Sequence, residues 1–403
     1  MSVESASPAK TPWGLVILLG SLTALAPLAI DMYLPSLPAI AADLNGTEAQ
    51  IQSTVATFLV GMAVGQLFYG PASDRLGRRG PVLFGLAIFV AASVACALAT
   101  SADMLLAARL AQALGACSGV VVARAVVRDR FGHTDTARVL SLMMLIMGLA
   151  PILAPLVGGA LLELGGWRVN FWVMAAYGVL VALAVAVRLR ESRSAETAER
   201  ARSENPIQAY VSLLGNPRLV GYACAGGLNS ATLFTYISCS PGLLIGTYGI
   251  APSAFGIVFG INALGLIGSN QVNRMLLRRT SPDVILVRAS RVSLVVVGLL
   301  ALAGVTGFGG PWAVLPLLFL TLSTFGLMQG NTIAGGLSTD PTRAGSISAL
   351  MGGSSFGFGA ATSAIAATFH DGTARPMALT MLGAVIGSAL ALHFLALPKR
   401  VSV

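Results

Sequence analysis

The sequence predicts an all-α integral membrane protein, and two of its features make the prediction. Of the 403 residues, 55% are hydrophobic and only 10% are charged. The apolar residues come in runs of about twenty, the helix length that crosses the hydrocarbon core of a bilayer. Backbone polar groups in hydrocarbon must bond to one another, and runs of this length do so as helices.

Twelve spans follow in order. The first, 13–34, carries Asp31 near its end; Ala24-Leu25-Ala26 resembles a secretory cleavage site, but the apolar stretch runs on past it, so the helix is read as retained. The second, 51–71, leads into the glycine-punctuated stretch Gly70 to Arg79, and the third, 81–100, holds no charge. The fourth, 103–124, opens on Asp103 and holds Arg109; the fifth, 137–163, and the sixth, 167–187, complete a first set. Arg188 to Arg218 is the longest polar stretch, rich in Glu, Arg, Ser and Ala, and reads as a linker. The second set is 219–246, 251–273, 284–304, 311–338, 344–369 and 376–396. Spans five, seven, ten and eleven are long enough to require tilt. The expected organisation is a first bundle in 1–187, a linker in 188–218 and a second bundle in 219–403.

Basic residues assign the sides. Of 25 Lys and Arg, 22 lie on one side of this ladder, against Arg168 and Arg375 on the other and Arg109 within a span. The positive-inside rule makes the crowded side, with both termini, cytoplasmic. The net charge of +9 is thereby explained: residues scattered over short loops suit anionic lipid headgroups rather than nucleic acid. Cys96, Cys117, Cys224 and Cys239 lie in or beside spans, where thiols behave as small hydrophobes, and imply neither disulfides nor a metal framework. With Lys10 and Lys399 as its only lysines, the chain has no Gly-Lys-Ser/Thr phosphate loop and is not an ATP-driven pump. The spans also lack the cluster of acids, His and Ser, or of metal ligands, that a membrane-embedded enzyme needs. No cofactor is expected beyond a proton gradient as energy source. His133, His370 and His393 lie in loops or near span ends, away from any expected proton path.

Asp31 and Arg109 remain at depth, where an isolated ion costs several kcal/mol and is a functional candidate by default. Arg109 lies six residues past Asp103, about 9 Å along a helix, and Asp31 a comparable distance before Ile40, so the two are expected at similar depth and within reach. Asp31 is then the candidate protonatable coupling site, with Arg109 tuning it or competing with substrate for it. A static ion pair is the plainer alternative, although such pairs are seldom net stabilising. Pocket candidates in the spans are Tyr33, Met147, Asn229, Phe234, Tyr236, Asn262 and Asn331, a polar, aromatic and thioether mixture suited to an adaptable site.

The two sets of spans also echo each other. Gly70-Pro71-Ala72-Ser73-Asp74-Arg75-Leu76-Gly77-Arg78-Arg79 follows the second span, and a stretch from Ser269 to Arg279 with Arg274, Arg278 and Arg279 follows the eighth. Parallel halves of this kind place a substrate cavity between them near the midplane. In the first loop the glycines permit a tight turn, and Asp74 is expected to accept from a helix N-terminus or to pair with an arginine of the neighbouring bundle, latching one conformation.

That loop resembles the signature of the major facilitator superfamily in Gly70, Asp74, Arg75, Gly77, Arg78 and Arg79. Arg109-Leu110-Ala111-Gln112-Ala113-Leu114-Gly115 is similar to its fourth-helix motif, in which the arginine faces the cavity, through Arg109, Gln112 and Gly115. Ala150, Ala154, Pro155, Gly158 and Gly159 resemble its antiporter motif, with alanines at Ala150 and Ala154 where glycine is common. The stretch Ala29 to Pro38, with Asn331, Ala344 to Gly352 and His370 to Met377, is similar to the bicyclomycin-resistance (Bcr/CflA) drug:proton antiporters. The resemblance covers nearly the whole chain. It implies twelve transmembrane helices in two pseudo-symmetric six-helix bundles. It further implies a monomer in the bacterial inner membrane that exports small drug-like molecules in exchange for protons. A proton-coupled uptake symporter for a sugar or organic acid shares the fold and is the alternative.

Overall fold

The computed structural model describes residues 13–131, 133–203 and 205–397, with the side chains of 133–138, 140–141, 144–147, 200 and 202–203 set aside. Its described residues form helices and no strand. The first span is α1 (Trp13–Asp31), a 3-10 turn (Leu34–Ser36) and α2 (Leu37–Asp43). Then come α3 (Glu48–Leu76), α4 (Arg79–Ala97), α5 (Ala102–Arg130), α6 (His133–Gly165) and α7 (Trp167–Arg188). Two short amphipathic helices occupy the linker, α8 (Ala195–Ser203) and α9 (Pro206–Leu214). The second half holds α10 (Pro217–Pro241), α11 (Pro252–Leu276), α12 (Pro282–Thr306), α13 (Gly310–Ser338), α14 (Ala344–Thr368) and α15 (Arg375–Ala391).

Local chemistry sets the boundaries. Thr47 and Gln50 form a reciprocal capping box at α3, and Ser101 and Ser281 accept from the first turns of α5 and α12. Pro217, Pro252 and Pro282 open α10, α11 and α12, where a missing N–H costs nothing. The first span is not the continuous helix that the sequence suggests. Its α-helix stops at Asp31, because Pro35 and Pro38 withdraw N–H donors from the next turn. The seventh and twelfth spans likewise close in π-helical turns, Gly242–Thr247 and Leu392–Ala396.

Ten helical segments among the described residues are long and apolar enough to cross a membrane. Of the twelve spans expected, α10 and α14 fall short in apolarity alone, at 25 residues each. Both are rich in Ser, Thr and Gly, and the Ser and Thr of α10 from Ser230 to Ser240 are buried. They face protein rather than lipid, so their sequences need not be lipophilic.

The packing repeats. In the first half α5 lies against α3, α4 and α1, α4 against α7, and α1 against α6. In the second, α13 lies against α11, α12 and α10, α12 against α15, and α10 against α14. Each pair has its counterpart. The halves meet where α3 packs on α14 and α6 on α11, a relation that maps onto itself when the halves are exchanged.

Small residues set the closest approaches. A Cβ at Gly115 of α5 would lie 2.5 Å from the Phe89 nitrogen and 2.6 Å from the Gly85 carbonyl oxygen of α4. Gly115→Ala is therefore expected to cost about 1–3 kcal/mol through forced separation of α4 and α5, read as a lower melting temperature in detergent. Gly268→Ala, on α11 where an added Cβ meets nothing, should show no such loss. Equal melting of the two variants would mean that backbone contact does not limit this interface.

Candidate functional site

Asp31 ends α1 at the helix break, and the break is held in place from two sides. α6 approaches so closely that a Cβ at Gly158 would collide with the Met32 carbonyl. Asn170 of α7 donates to Ser36 Oγ at 3.1 Å and to the Gly158 carbonyl at 3.4 Å. Gly159, the next residue of the antiporter-type motif, faces the Pro252 carbonyl of α11, and Ala150, Ala154 and Pro155 are buried in the same helix. This motif thus joins the broken first span to the other half of the protein.

The Asp31 side chain is only 3% exposed and makes no hydrogen bond or ion pair among the described residues; its Oδ1 is buried without a partner. It lines a cavity of about 500 Å³ with walls from both halves: Gly148 and Pro151 of α6, Leu233, Tyr236 and Ile237 of α10, residues of α11 and Leu322 of α13. Among the described residues, the only other polar side chains there are Tyr236 and Asn262. Tyr236 stacks on Phe259 at 5.4 Å between ring centroids and accepts a 2.8 Å hydrogen bond from Asn262 Nδ2.

Arg109 departs from expectation. It is fully buried inside the first half rather than facing the cavity, and no ion pair with Asp31 occurs among the described residues. Its guanidinium lies between the rings of Tyr33 and Phe58, at 4.1 and 4.3 Å from their centroids. It donates to the Ala29 carbonyl at 2.9 Å and to Gln112 Oε1 at 2.5 Å, while Gln112 Nε2 donates to Ser93 Oγ at 2.8 Å. Ring faces and a backbone carbonyl take the place of a counterion. The similar depth of the two charges did not fix their direction: Asp31 lies two residues beyond Ala29, about 200° further round the helix.

The remaining pocket candidates divide. Tyr33 is spent beneath Arg109, with its hydroxyl 3.0 Å from Thr54 Oγ1. Asn331 does not line this cavity: it donates to Asn273 Oδ1 at 2.8 Å and to the Leu327 carbonyl at 2.9 Å, tying α13 to α11. Phe234 packs on Phe356 at 5.3 Å and does not line the cavity. Asn229 is buried away from it, with Nδ2 unpartnered. The Met147 side chain lies outside the described residues.

The loop after α3 turns at Gly77, whose φ of 94° is open to glycine and strained for other residues. The buried Arg78 guanidinium pairs with Asp74, donates to Asp129 Oδ2 at 2.8 Å and to Ser73 Oγ at 3.0 Å. Asp74 therefore bonds within its own loop, not to an arginine of the other bundle; Arg193 of the linker donates to its carbonyl at 3.2 Å. Arg75 donates to the Ala201 carbonyl at 2.9 Å and Arg79 to that of Ala186 at 2.7 Å. The sequence reading missed Asp129 and Glu191, two acids standing among arginines. Beyond this loop a cleft of about 700 Å³ opens between the halves, lined by Asp74, Arg124 and Arg128 on one side and Gly345 and Ser346 at the start of α14 on the other.

At the opposite end the halves are tied. Gln52 Nε2 donates to Cys239 Sγ at 3.0 Å, and His370 Nε2 lies 2.8 Å from Glu48 Oε2. No group of His, Cys, Asp or Glu able to hold a metal occurs among the described residues.

Glu191 accepts the backbone N–H groups of Arg78, at 2.9 and 3.0 Å to its two oxygens, and of Arg79 at 3.3 Å. Partial burial would push its carboxyl up, but these donors, with those of Arg193 and Ser192, hold it below the ordinary glutamate value of 4.5. Its hold on the loop is accordingly complete above that value and lost as pH falls through the lowered one. Glu191→Gln is expected to speed hydrogen exchange of the Arg78 and Arg79 amides about tenfold at neutral pH, and the parent should show the same release only in acid. Unchanged exchange in the variant would count against this anchoring.

The family model described as "Major Facilitator Superfamily" matches residues 19–364. The chain is 36% identical to the uncharacterized MFS-type transporter YdgK of Bacillus subtilis over 97% of each protein. It is 29% identical to the bicyclomycin resistance protein homolog of Haemophilus influenzae, over 96% of this chain and 97% of that one. The multidrug resistance protein MdtL of Escherichia coli O139:H28 is 37% identical over 60% of this chain and 61% of its own. The crystal structure of a D-xylose-proton symporter superposes with a TM-score of 0.75, covering 96% and 98% of the two chains at 14% identity, a likeness of fold.

Proposed function

The chain belongs to the major facilitator superfamily, in its Bcr/CflA-like group of transporters, and from that premise we propose that it exports small drug-like molecules in exchange for protons. One observation carries the reading. Asp31, a carboxyl with no partner among the described residues, lies between the halves in a cavity whose described walls are otherwise almost wholly apolar. A buried acid without a partner is costly, and its retention is best explained by use. The relatives named for bicyclomycin and multidrug resistance support the same direction of transport.

In this reading the halves rock about the cavity, and Asp31 holds a proton or a cationic or polar drug, but not both. Arg109 serves Asp31 indirectly, by fixing the α1 backbone at Ala29. Asp74 and the Arg78 cluster brace the basic loop, and the start of α14 across the cleft is the surface that Asp74 would meet on closure. The positive-inside rule assigns that end to the cytoplasm of a bacterial inner membrane, so the cleft opens inward while Glu48 and His370 close the outer end. The transporter acts as a monomer, since its cavity is complete within one chain. Uptake of a sugar is less well served: a sugar needs many donors and acceptors, and among the described residues this cavity offers three polar side chains.

Membrane vesicles loaded with a proton gradient test the coupling. Asp31→Asn is expected to abolish proton-driven accumulation of substrate while leaving downhill exchange measurable, and cells overproducing it should lose drug tolerance that the parent confers. Accumulation against a gradient by Asp31→Asn vesicles would place the coupling site elsewhere, and substrate flow in the direction of the protons would favour the symporter.

Sidedness is tested separately. A reporter inserted at Glu196 and another fused at Val403 should both be active in the cytoplasm; access of a protease to Glu196 from outside intact cells would reverse the assignment.

A further inference from the structure

The second half sets two polar side chains into the cavity wall that it shares with Asp31, Tyr236 of α10 and Asn262 of α11. Both are almost fully buried. The Tyr236 ring is held by its stack on Phe259, with 24° between the planes. The 2.8 Å bond from Asn262 Nδ2 occupies an acceptor position on the phenol oxygen. The phenol's own proton must therefore point elsewhere, and among the described residues the hydroxyl makes no second hydrogen bond. Asp31 Oδ1 is equally unclaimed among the described residues. A donor without an acceptor and an acceptor without a donor share one cavity, from opposite halves of the protein.

We propose that Tyr236, positioned by Asn262, is the residue through which the second half detects the charge on Asp31: the phenol O–H donates to the ionised carboxylate across the cavity, and that contact ends when Asp31 takes up a proton. The proposal rests on the reading of Asp31 as the proton-coupling group. Because α1 and α10 belong to different halves, a contact made in one protonation state alone ties the halves in that state and frees them in the other. The phenol keeps its proton throughout. Among the described residues lining the cavity, Asp31 and Tyr236 are the only titratable or charged groups; beside them in the first half, Tyr33 on the segment of Asp31 is bonded to Thr54, and Arg109 on α5 to Ala29 and Gln112. Among the described residues, the cavity-facing side chains of α6, α11 and α13 add only Asn262 to the polar set.

Infrared difference titration of the purified full-length protein reads Asp31 without a transported substrate, through the protonated carbonyl band that is missing from Asp31→Asn. A hydrogen bond to a charged group is strong enough to displace such a titration by about one pH unit or more. Tyr236→Phe, which keeps the stack on Phe259, is expected to move the midpoint of the Asp31 band to higher pH by that amount, and Asn262→Ala to move it the same way by less. If the band titrates in the parent and Tyr236→Phe leaves its midpoint in place, the assignment of Tyr236 is wrong while Asp31 stands. If the parent shows no Asp31-dependent band that titrates, both readings fall.

Discussion

Hydrocarbon offers no hydrogen bonds, and the two ions that this protein carries into its spans answer that constraint in opposite ways. Arg109 is provided for in large part: a backbone carbonyl and an oriented glutamine accept from Nη1 and two aromatic faces cover the guanidinium, while Nε and Nη2 have no hydrogen-bond partner among the described residues. Asp31 is not, and its carboxyl stands unbonded at a helix break beside open space. The provided ion organises the first half, gathering α1, α3 and α5 around one charge. The unprovided one is the group free to exchange partners, and the remainder of the site is arranged about it.

Much of this was legible in the sequence because depth in a membrane is a one-dimensional property. The spans, the linker from Arg188 and the unusual placement of Asp31 and Arg109 follow from hydropathy and charge along the chain. Direction around a helix is not written there so plainly. The even hydrophobicity of α1 and α5 leaves no polar stripe from which to tell that Asp31 and Arg109 turn to different surroundings. Asn331 was misjudged for the same reason: a polar residue at depth suits a pocket or a tie between helices equally, and its partner Asn273 lies 58 positions away. Asp129 and Glu191 were hidden by their company, since acids among arginines look like ordinary loop charge until Arg78 is seen between them.

The exchange symmetry of the packing does not extend to the chemistry. α3 and α11 occupy matching places, yet the first ends in a turn braced by Asp74, Asp129 and Glu191, while near the end of the second Asn273 bonds a neighbouring helix. The scaffold repeats between the halves, and each half has its own polar interior.

The cavity wall is divided unevenly between the halves. The acid and the glycine-fitted break that presents it belong to the first, whereas Tyr236, Phe259, Asn262, Ile267 and Leu322 belong to the second. Under the proposed mechanism, the carboxyl that takes up the proton and most of the wall facing it are encoded in separate stretches of the gene. Substitutions in the second half can then remodel the space offered to a ligand without disturbing the backbone geometry that aims the carboxyl. A lineage built this way can vary the apolar wall of the second half while inheriting the placement of the carboxyl from the first, so long as Tyr236 and Asn262 are kept.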